Sequence, residues 1–192
     1  MKKNLEIKKD QGFTIIETMI SIALFLIVVT IGMGALMQAS EVHKKSQNMR
    51  SVMDNLSFIM DDMSRNLRTG SSYVCTGGTG APSPDCTDGT EISFNSSDGV
   101  TQLKYLIDLN NDIIQKTTNN DTPVTLSPSS DIILGQGSGF TVIGATPASA
   151  GTGDTQQPFV TIRLVGTITD HNTNNTTSFS LQTSVSQRFL DR

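Results

Sequence analysis

The sequence has no tryptophan, and aromatic residues make up 5% of its 192 residues. Charged residues account for 17%, while Ser, Thr, Asn and Gly are abundant after residue 70. A large multidomain enzyme needs a longer chain, because domains typically hold about 100 to 150 residues. The composition indicates one small, loop-rich β domain with an appendage, rather than a deep catalytic core.

Basic residues are few, with 14 Lys and Arg against 18 Asp and Glu, for a formal charge of −4. Without residues 1–12, 10 basic and 16 acidic residues remain, for a charge of −6. Binding to a nucleic-acid backbone needs clustered Lys and Arg. We therefore expect no nucleic acid among the partners.

Only two cysteines occur, Cys75 and Cys86, within residues 71–90, which are rich in Gly, Pro, Ser and Thr and are predicted to form a loop. No further cysteine is present to complete a zinc quartet. A local disulfide between the two is favoured, and it would indicate an oxidising compartment outside the cytoplasm. Two free thiols are the alternative.

Motifs of enzymes and metal sites are missing. The sequence contains no Gly-x-Ser-x-Gly or Ser-x-x-Lys motif, so no catalytic residue is predicted and the protein is not expected to be an enzyme. Asp108-x-Asn110-x-Asp112 has the spacing that opens a calcium loop, but Ile113 stands where that loop needs glycine. A turn between two strands is the preferred interpretation, and neither a metal nor a cofactor is expected.

Charge and proline are absent from residues 19–37, a run of apolar and small residues. At 1.5 Å per residue the run is long enough to cross a hydrocarbon core of about 30 Å. Lysines before the run predict a cytoplasmic N-terminus, with the remainder of the chain outside. An ordinary secretory signal, cut within residues 34–40, is an alternative.

The sequence Gly12-Phe13-Thr14-Ile15-Ile16-Glu17 joins a short basic segment directly to this apolar run. It resembles the cleavage and methylation motif of type IV pilins and type II secretion pseudopilins. The resemblance implies that a prepilin peptidase cuts between Gly12 and Phe13 and that the new N-terminal residue, Phe13, is methylated. It also implies four partners: other pilin or pseudopilin subunits, the prepilin peptidase/methyltransferase, the inner-membrane assembly platform and the lipid bilayer.

Glu17 is the one acid in the apolar segment. A carboxylate near the centre of a bilayer costs about 2.5 to 3.5 kcal/mol, so it needs a partner. After cleavage the free amine of Phe13 would lie four residues away. The resemblance implies that Glu17 pairs with the Phe13 amine of a neighbouring subunit during assembly; the alternative is a carboxylate that merely sits among the lipid headgroups.

The helical pattern continues beyond the apolar run. Apolar residues recur at spacings of three and four: Met49, Val52, Leu56, Ile59, Met63 and Leu67. Gly70 is predicted to end the helix as a left-handed C-cap. Alternating patterns and turn residues then predict strands over 91–95, 100–107, 112–116, 122–126, 140–143, 158–169 and 176–189, with a loop over 144–157.

The predicted fold class is α+β, with a long N-terminal helix packed on a C-terminal antiparallel β-sheet, and the resemblance implies the ladle shape of pilins. Four segments are expected: a leader over 1–12, a transmembrane and assembly helix over 13–37, an amphipathic continuation over 38–70 and a β-rich head over 71–192.

The predicted function is a structural subunit of a type IV pilus-like or type II secretion fibre. It would be a minor pilin or pseudopilin of the W-like or J-like group. The chain would first span the inner membrane once and then enter a cell-surface or periplasmic fibre. An alternative is a single-pass anchored surface domain that adheres or binds a ligand without polymerising.

Overall fold

The computed structural model describes residues 12–77, 81–127, 132–146, 156–169 and 176–188. The chain divides into two compact units, Met1–Ser46 and Gln47–Arg192. The described residues form one long helix, α1 (Ile15–Thr69), and ten strands: β1 (Ser71–Thr76), β2 (Cys86–Gly89), β3 (Glu91–Asn95), β4 (Gln102–Asp108), β5 (Ile113–Thr118), β6 (Val124–Thr125), β7 (Ile132–Leu134), β8 (Gly139–Ile143), β9 (Phe159–Thr169) and β10 (Thr176–Ser186).

The strands form two antiparallel sheets, where the sequence analysis expected one. The first sheet has the order β1-β3-β4-β5-β6, and the second has the order β10-β9-β8-β2, with β7 also paired to β9. The α+β class with antiparallel pairing is confirmed. The predicted C-terminal hairpin is confirmed too, since Val160 lies opposite Val185 and Leu164 lies opposite Leu181.

The prediction of a loop over residues 71–90 is wrong, because this segment contains β1 and β2. Tyr73 and Cys75 alternate with more exposed residues in β1, but the small polar residues around them hide the alternation in the sequence. The short strand β7 was not predicted either, since three residues are too few to show a period. The predicted loop over 144–157 falls mostly outside the described residues.

The predicted disulfide is confirmed. Cys75 of β1 in the first sheet is bonded to Cys86 of β2 in the second, with 5.9 Å between their Cα atoms. That spacing is normal for a disulfide. The bond therefore links the two sheets through two short strands, of which β1 follows the helix directly.

The second half of α1 buries the predicted apolar stripe. Val52, Leu56, Ile59, Met63 and Leu67 are buried, Met60 is buried beside them, and Met49 is partly buried. All of these residues belong to one core cluster with apolar side chains from both sheets. The prediction that the stripe packs against the protein's own β structure is confirmed.

Gly70 follows the last helical residue as expected, but the left-handed C-cap is wrong, since Gly70 is not among the residues with positive φ. Its N–H donates to the Leu67 carbonyl at 3.2 Å. A Cβ at this position would overlap the Phe94 ring, with Cε2 2.9 Å away. Glycine is needed because β3 presses Phe94 onto the helix end.

Gly70→Ala should lower the free energy of unfolding by about 1 to 3 kcal/mol, because the added methyl overpacks the site. The measurement is thermal unfolding of the full-length protein in detergent. Adding Phe94→Leu should recover part of the loss, since the smaller side chain leaves room for the methyl. Gly34→Ala is the control, because a Cβ there meets nothing within 4 Å. Equal loss with and without Phe94→Leu would contradict the packing explanation.

A polar network joins α1 to the first sheet. Asp62 Oδ2 accepts hydrogen bonds from the Tyr105 hydroxyl at 2.8 Å and from Lys116 Nζ at 2.9 Å. Asn66 Nδ2 donates to Asp62 Oδ1 at 3.1 Å and to the Tyr105 hydroxyl oxygen at 2.7 Å. Lys116 Nζ also lies 5.5 Å from the centre of the Tyr105 ring, within reach of a cation–π interaction.

These contacts set the charge states of the network. Burial alone would raise the pKa of Asp62, but the hydrogen bonds from Lys116, Tyr105 and Asn66 outweigh it and hold that pKa below its ordinary value. Burial, reinforced by the Asp62 carboxylate, raises the pKa of Tyr105 far above its usual range. Asp62 is therefore ionised and the Tyr105 phenol protonated at neutral pH.

The depressed pKa makes the stability acid-sensitive. Because the folded pKa of Asp62 lies below the ordinary 3.8, its contribution is present above that value and is lost as the pH falls through the folded pKa. Asp62→Asn should weaken this acid dependence and lower stability at neutral pH by about 1 kcal/mol, a figure reduced for partial exposure. Thermal unfolding of the full-length protein from neutral pH to about pH 3 measures both effects.

Asp61→Asn is the matched control, since the one cation that Asp61 pairs with among the described residues is the exposed Arg65. It should change stability by less than about 0.5 kcal/mol. Some acid sensitivity will remain in both variants, because hydrogen bonds in exposed turns also lower the pKa of Asp98 and Asp108. An acid profile of Asp62→Asn identical to that of the unsubstituted protein would refute the role assigned to Asp62.

Candidate functional site

The predicted site residues lie at the start of α1. Gly12 and Phe13 precede the helix, and both are exposed. The Phe13 side chain is 81% exposed. The peptide between them is therefore outside regular structure and accessible, as a proteolytic cleavage site must be.

Thr14 caps the helix. Its Oγ1 accepts a hydrogen bond from Glu17 N at 3.4 Å, and its carbonyl accepts from Glu17 N at 3.1 Å and from Thr18 N at 3.2 Å. Thr14 and Glu17 have the Thr-x-x-Glu spacing of a capping box, a sequence signal that could have identified Thr14. The cap starts the helix at Ile15 and leaves Phe13 outside it.

Thr14→Ala should destabilise the first helical turn by about 1 kcal/mol, because the side-chain acceptor for an N-terminal amide is lost. The expected result is amide hydrogen exchange at Glu17 about fivefold faster, measured by NMR on the full-length protein in micelles. Thr14→Ser is the control and should keep the slow exchange. Unchanged exchange in Thr14→Ala would show that the cap is not needed.

Glu17 lies in the first turn of α1, where the positive end of the helix dipole favours a carboxylate. It is exposed. Among the described residues, no Lys, Arg or His nitrogen lies within 4.0 Å of its carboxylate. The Glu17 carboxylate therefore has no cationic partner in the described part of its own chain.

The surface around Glu17 is apolar. Every residue from 12 to 48 is exposed, and the large apolar side chains among them range from 41% exposed at Val29 to 81% at Phe13. Of the described elements, α1 is the one helix long and apolar enough to cross a membrane. A helix that is apolar all round needs lipid or other apolar helices around it.

The hydroxyl groups in this apolar part are satisfied within the helix. Thr18, Ser21 and Thr30 each donate to a backbone carbonyl three or four residues earlier, at 2.7 to 2.8 Å. Such bonds let hydroxyl groups reside in an apolar environment. Glu17 is the only charged residue in the sequence between residues 13 and 37, so it alone needs an external partner there.

The acidic turn over residues 108–112 has structural roles. Asp108 Oδ1 accepts from the backbone N–H groups of Asn110 and Asn111, at 2.9 and 3.2 Å. Asp112 Oδ1 accepts from Leu134 N at 2.7 Å. The interpretation as a turn between strands is confirmed. Within the described ranges, no three His, Cys, Asp or Glu side chains cluster so as to hold a metal ion.

Residues 7–33 match the family model described as the prokaryotic N-terminal methylation motif. The match includes Gly12 and Phe13, the capping residue Thr14 and the acid Glu17. No curated protein and no solved structure matches the chain. The motif supports a type IV pilin-like protein. Proteins with this motif are structural rather than catalytic, and the motif implies, in general terms, processing by a prepilin peptidase and assembly with pilin subunits. The motif and the apolar helix together fit a membrane-anchored protein.

Proposed function

We propose that the chain is a minor pilin or pseudopilin, a structural subunit of a type IV pilus-like or type II secretion fibre. The observation that carries the proposal is the isolated charge of Glu17. This carboxylate is exposed on a helix whose surroundings are apolar, and it has no cation near it among the described residues.

Cleavage between Gly12 and Phe13 creates the missing cation. It removes residues 1–12 as a leader and leaves a free amine on Phe13, which is then methylated and stays positively charged. The accessible position of both residues ahead of the helix supports this step, because a peptidase binds its substrate as extended chain. Thr14 keeps that segment short by starting the helix at Ile15.

Assembly then pairs the Phe13 amine of one subunit with Glu17 of a neighbour. A lone carboxylate near the bilayer centre costs about 2.5 to 3.5 kcal/mol, and a close amine offsets much of that cost. The two groups are four residues apart in the sequence, at the same end of α1. Pairing across subunits therefore fixes how far one helix is displaced along the next.

The segments have separate roles. Residues 13–37 hold the subunit in the inner membrane and then in the fibre. Residues 38–70 continue the helix into the head. Residues 71–192 form that head, which lies outside the cytoplasm. The disulfide supports an oxidising location for the head. The position of this disulfide directly after the helix favours a minor subunit of the W-like or J-like group. The assembled fibre lies in the periplasm or at the cell surface.

Glu17→Ala should lower the fraction of the protein in sheared fibres by at least about tenfold, as expected when a pairing free energy of 1.4 kcal/mol or more is lost. Membrane insertion should be unchanged, because the apolar run is intact. Mass spectrometry of the fibres should find Phe13 at the N-terminus and N-methylated.

Glu41→Ala is the matched control, since Glu41 is an exposed acid of the same helix beyond the apolar run. It should enter fibres normally. A native protein that retains residues 1–12 would overturn the proposal. Normal surface function of Glu17→Ala without any fibre would favour a non-polymerising membrane-anchored domain instead.

A further inference from the structure

Strand β10 is the outer strand of the second sheet, and among the described strands it pairs with β9 alone. Its register runs without interruption over eleven residue pairs, from Thr176 opposite Thr169 to Ser186 opposite Phe159. In an antiparallel pair, the N–H and C=O groups of every second residue point away from the partner strand. The outer side of β10 is thus a row of backbone donors and acceptors about 36 Å long.

This edge lacks the features that normally protect such strands. Natural edge strands are kept short or carry Lys, Pro or a bulge, because an open edge pairs readily with another chain. Residues 176–186 contain no charged residue and no proline. The other outer strands of the described sheets are short or irregular: β6 has two residues, β2 has four, and the pairing of β1 shifts between Ser71 and Val74.

A cleft of about 370 Å³ lies between β10 and the second half of α1. Five consecutive residues of β10, 181–185, line one wall. Side chains of a strand alternate between its faces, so a cleft lined by five consecutive residues is open to the backbone edge. The other wall consists of helix residues at helical spacing: Ser57, Met60, Asp61, Ser64 and Arg68.

The charges in the cleft favour an acidic occupant. Asp61 is neutralised by Arg65, with 2.8 Å between Oδ2 and Nη2. Arg68 is exposed, and among the described residues no carboxylate oxygen lies within 4.0 Å of its guanidinium. The backbone carbonyl of Arg68 accepts a hydrogen bond from Arg188 N at 2.8 Å. The end of α1 therefore contacts the segment that follows β10. Within the described part of the chain, Arg68 therefore contributes to the cleft lining a positive charge that no carboxylate neutralises.

We propose that the free edge of β10 accepts an extended segment of a neighbouring subunit as an added strand, with a carboxylate of that segment placed against Arg68. Strand addition of this kind obtains its affinity from backbone hydrogen bonds and its selectivity from a few side chains. The inference rests on the proposed function for the presence of a neighbour. It goes beyond that function by assigning a contact between heads that the apolar helix does not provide.

Hydrogen exchange of the full-length protein, in detergent and in sheared fibres, tests the contact. In detergent, alternate amides of residues 176–186 should exchange rapidly, because they face the open edge. In fibres the same amides should exchange at least about tenfold more slowly, since hydrogen-bonded amides exchange only on opening. Rapid exchange of these amides in fibres that contain the protein would overturn the inference and leave the proposed function standing. Absence of the protein from fibres would overturn both, and protection already present in detergent would show that the chain covers its own edge.

Two proline variants distinguish an effect on the open edge of β10 from an effect on the pairing of β10 with β9. Of the neighbours Gln182 and Thr183, one directs its N–H towards β9 and the other towards the open edge. Proline at the outward residue should lower fibre incorporation about fivefold, as expected for one lost backbone hydrogen bond, without lowering the melting temperature. Proline at the inward residue should lower the melting temperature. Normal incorporation of the outward variant would contradict strand addition.

Arg68→Ala tests the charge. It should reduce incorporation about fivefold through the loss of a charge-assisted contact. Arg163→Ala is the matched control, because Arg163 is an exposed cation of the same sheet, opposite Gln182, that does not line the cleft. Equal incorporation of both variants would exclude a carboxylate bound at Arg68. Cross-links from position 182 would identify the neighbour as a second copy or a different subunit.

Discussion

An apolar helix surface that carries one carboxyl group, that of Glu17, is the constraint on which the proposed function of this protein depends. All side chains from residue 12 to residue 48 are exposed, and the apolar ones cannot remain in water. A bilayer or a bundle of similar helices can cover them equally well, because both are apolar. Under the proposed function Glu17 removes this equivalence, because a processed neighbouring chain would offer its carboxylate an amine. In that case a single carboxylate would favour the fibre over the lipid.

The β-rich part of the chain and the second half of α1 are stabilised by contacts with each other. The second half of α1 contributes its apolar stripe to the same core as both sheets. The Asp62, Tyr105 and Lys116 network adds a polar connection between helix and first sheet. The Cys75–Cys86 disulfide connects the first sheet to the second. Each layer of the head is therefore tied to another by a specific contact as well as by burial, as befits a small domain with few aromatic residues.

The edges of the two sheets differ in how many backbone hydrogen-bonding groups they leave without a partner strand. One edge of the first sheet is the two-residue strand β6. One edge of the second is β10, with eleven uncharged residues and, among the described strands, a single partner. Backbone groups at such an edge bind any extended chain that reaches them, so position in an assembly decides what they bind. Under the proposed function, the apolar helix would bring subunits together without regard to their heads, and the edge beside Arg68 would offer a second, more selective contact. The apolar helix would then provide attachment, and the edge of β10 would provide recognition of a particular neighbour.

The sequence alone determined whatever depends on local order. Gly12, Phe13 and Glu17 are recognisable because the motif is contiguous, the stripe of α1 because its period is regular, and β3, β4, β5, β9 and β10 because each belongs to a hairpin with alternating residues. Tertiary structure decided the features that join distant residues. These are the division into two sheets, the strands around Cys75 and Cys86, the packing of Phe94 over Gly70 and the hydrogen bonds that converge on Asp62. They escaped prediction because a contact between residues far apart in the chain depends on how the whole core packs. The residues next to each partner in the sequence do not indicate such a contact.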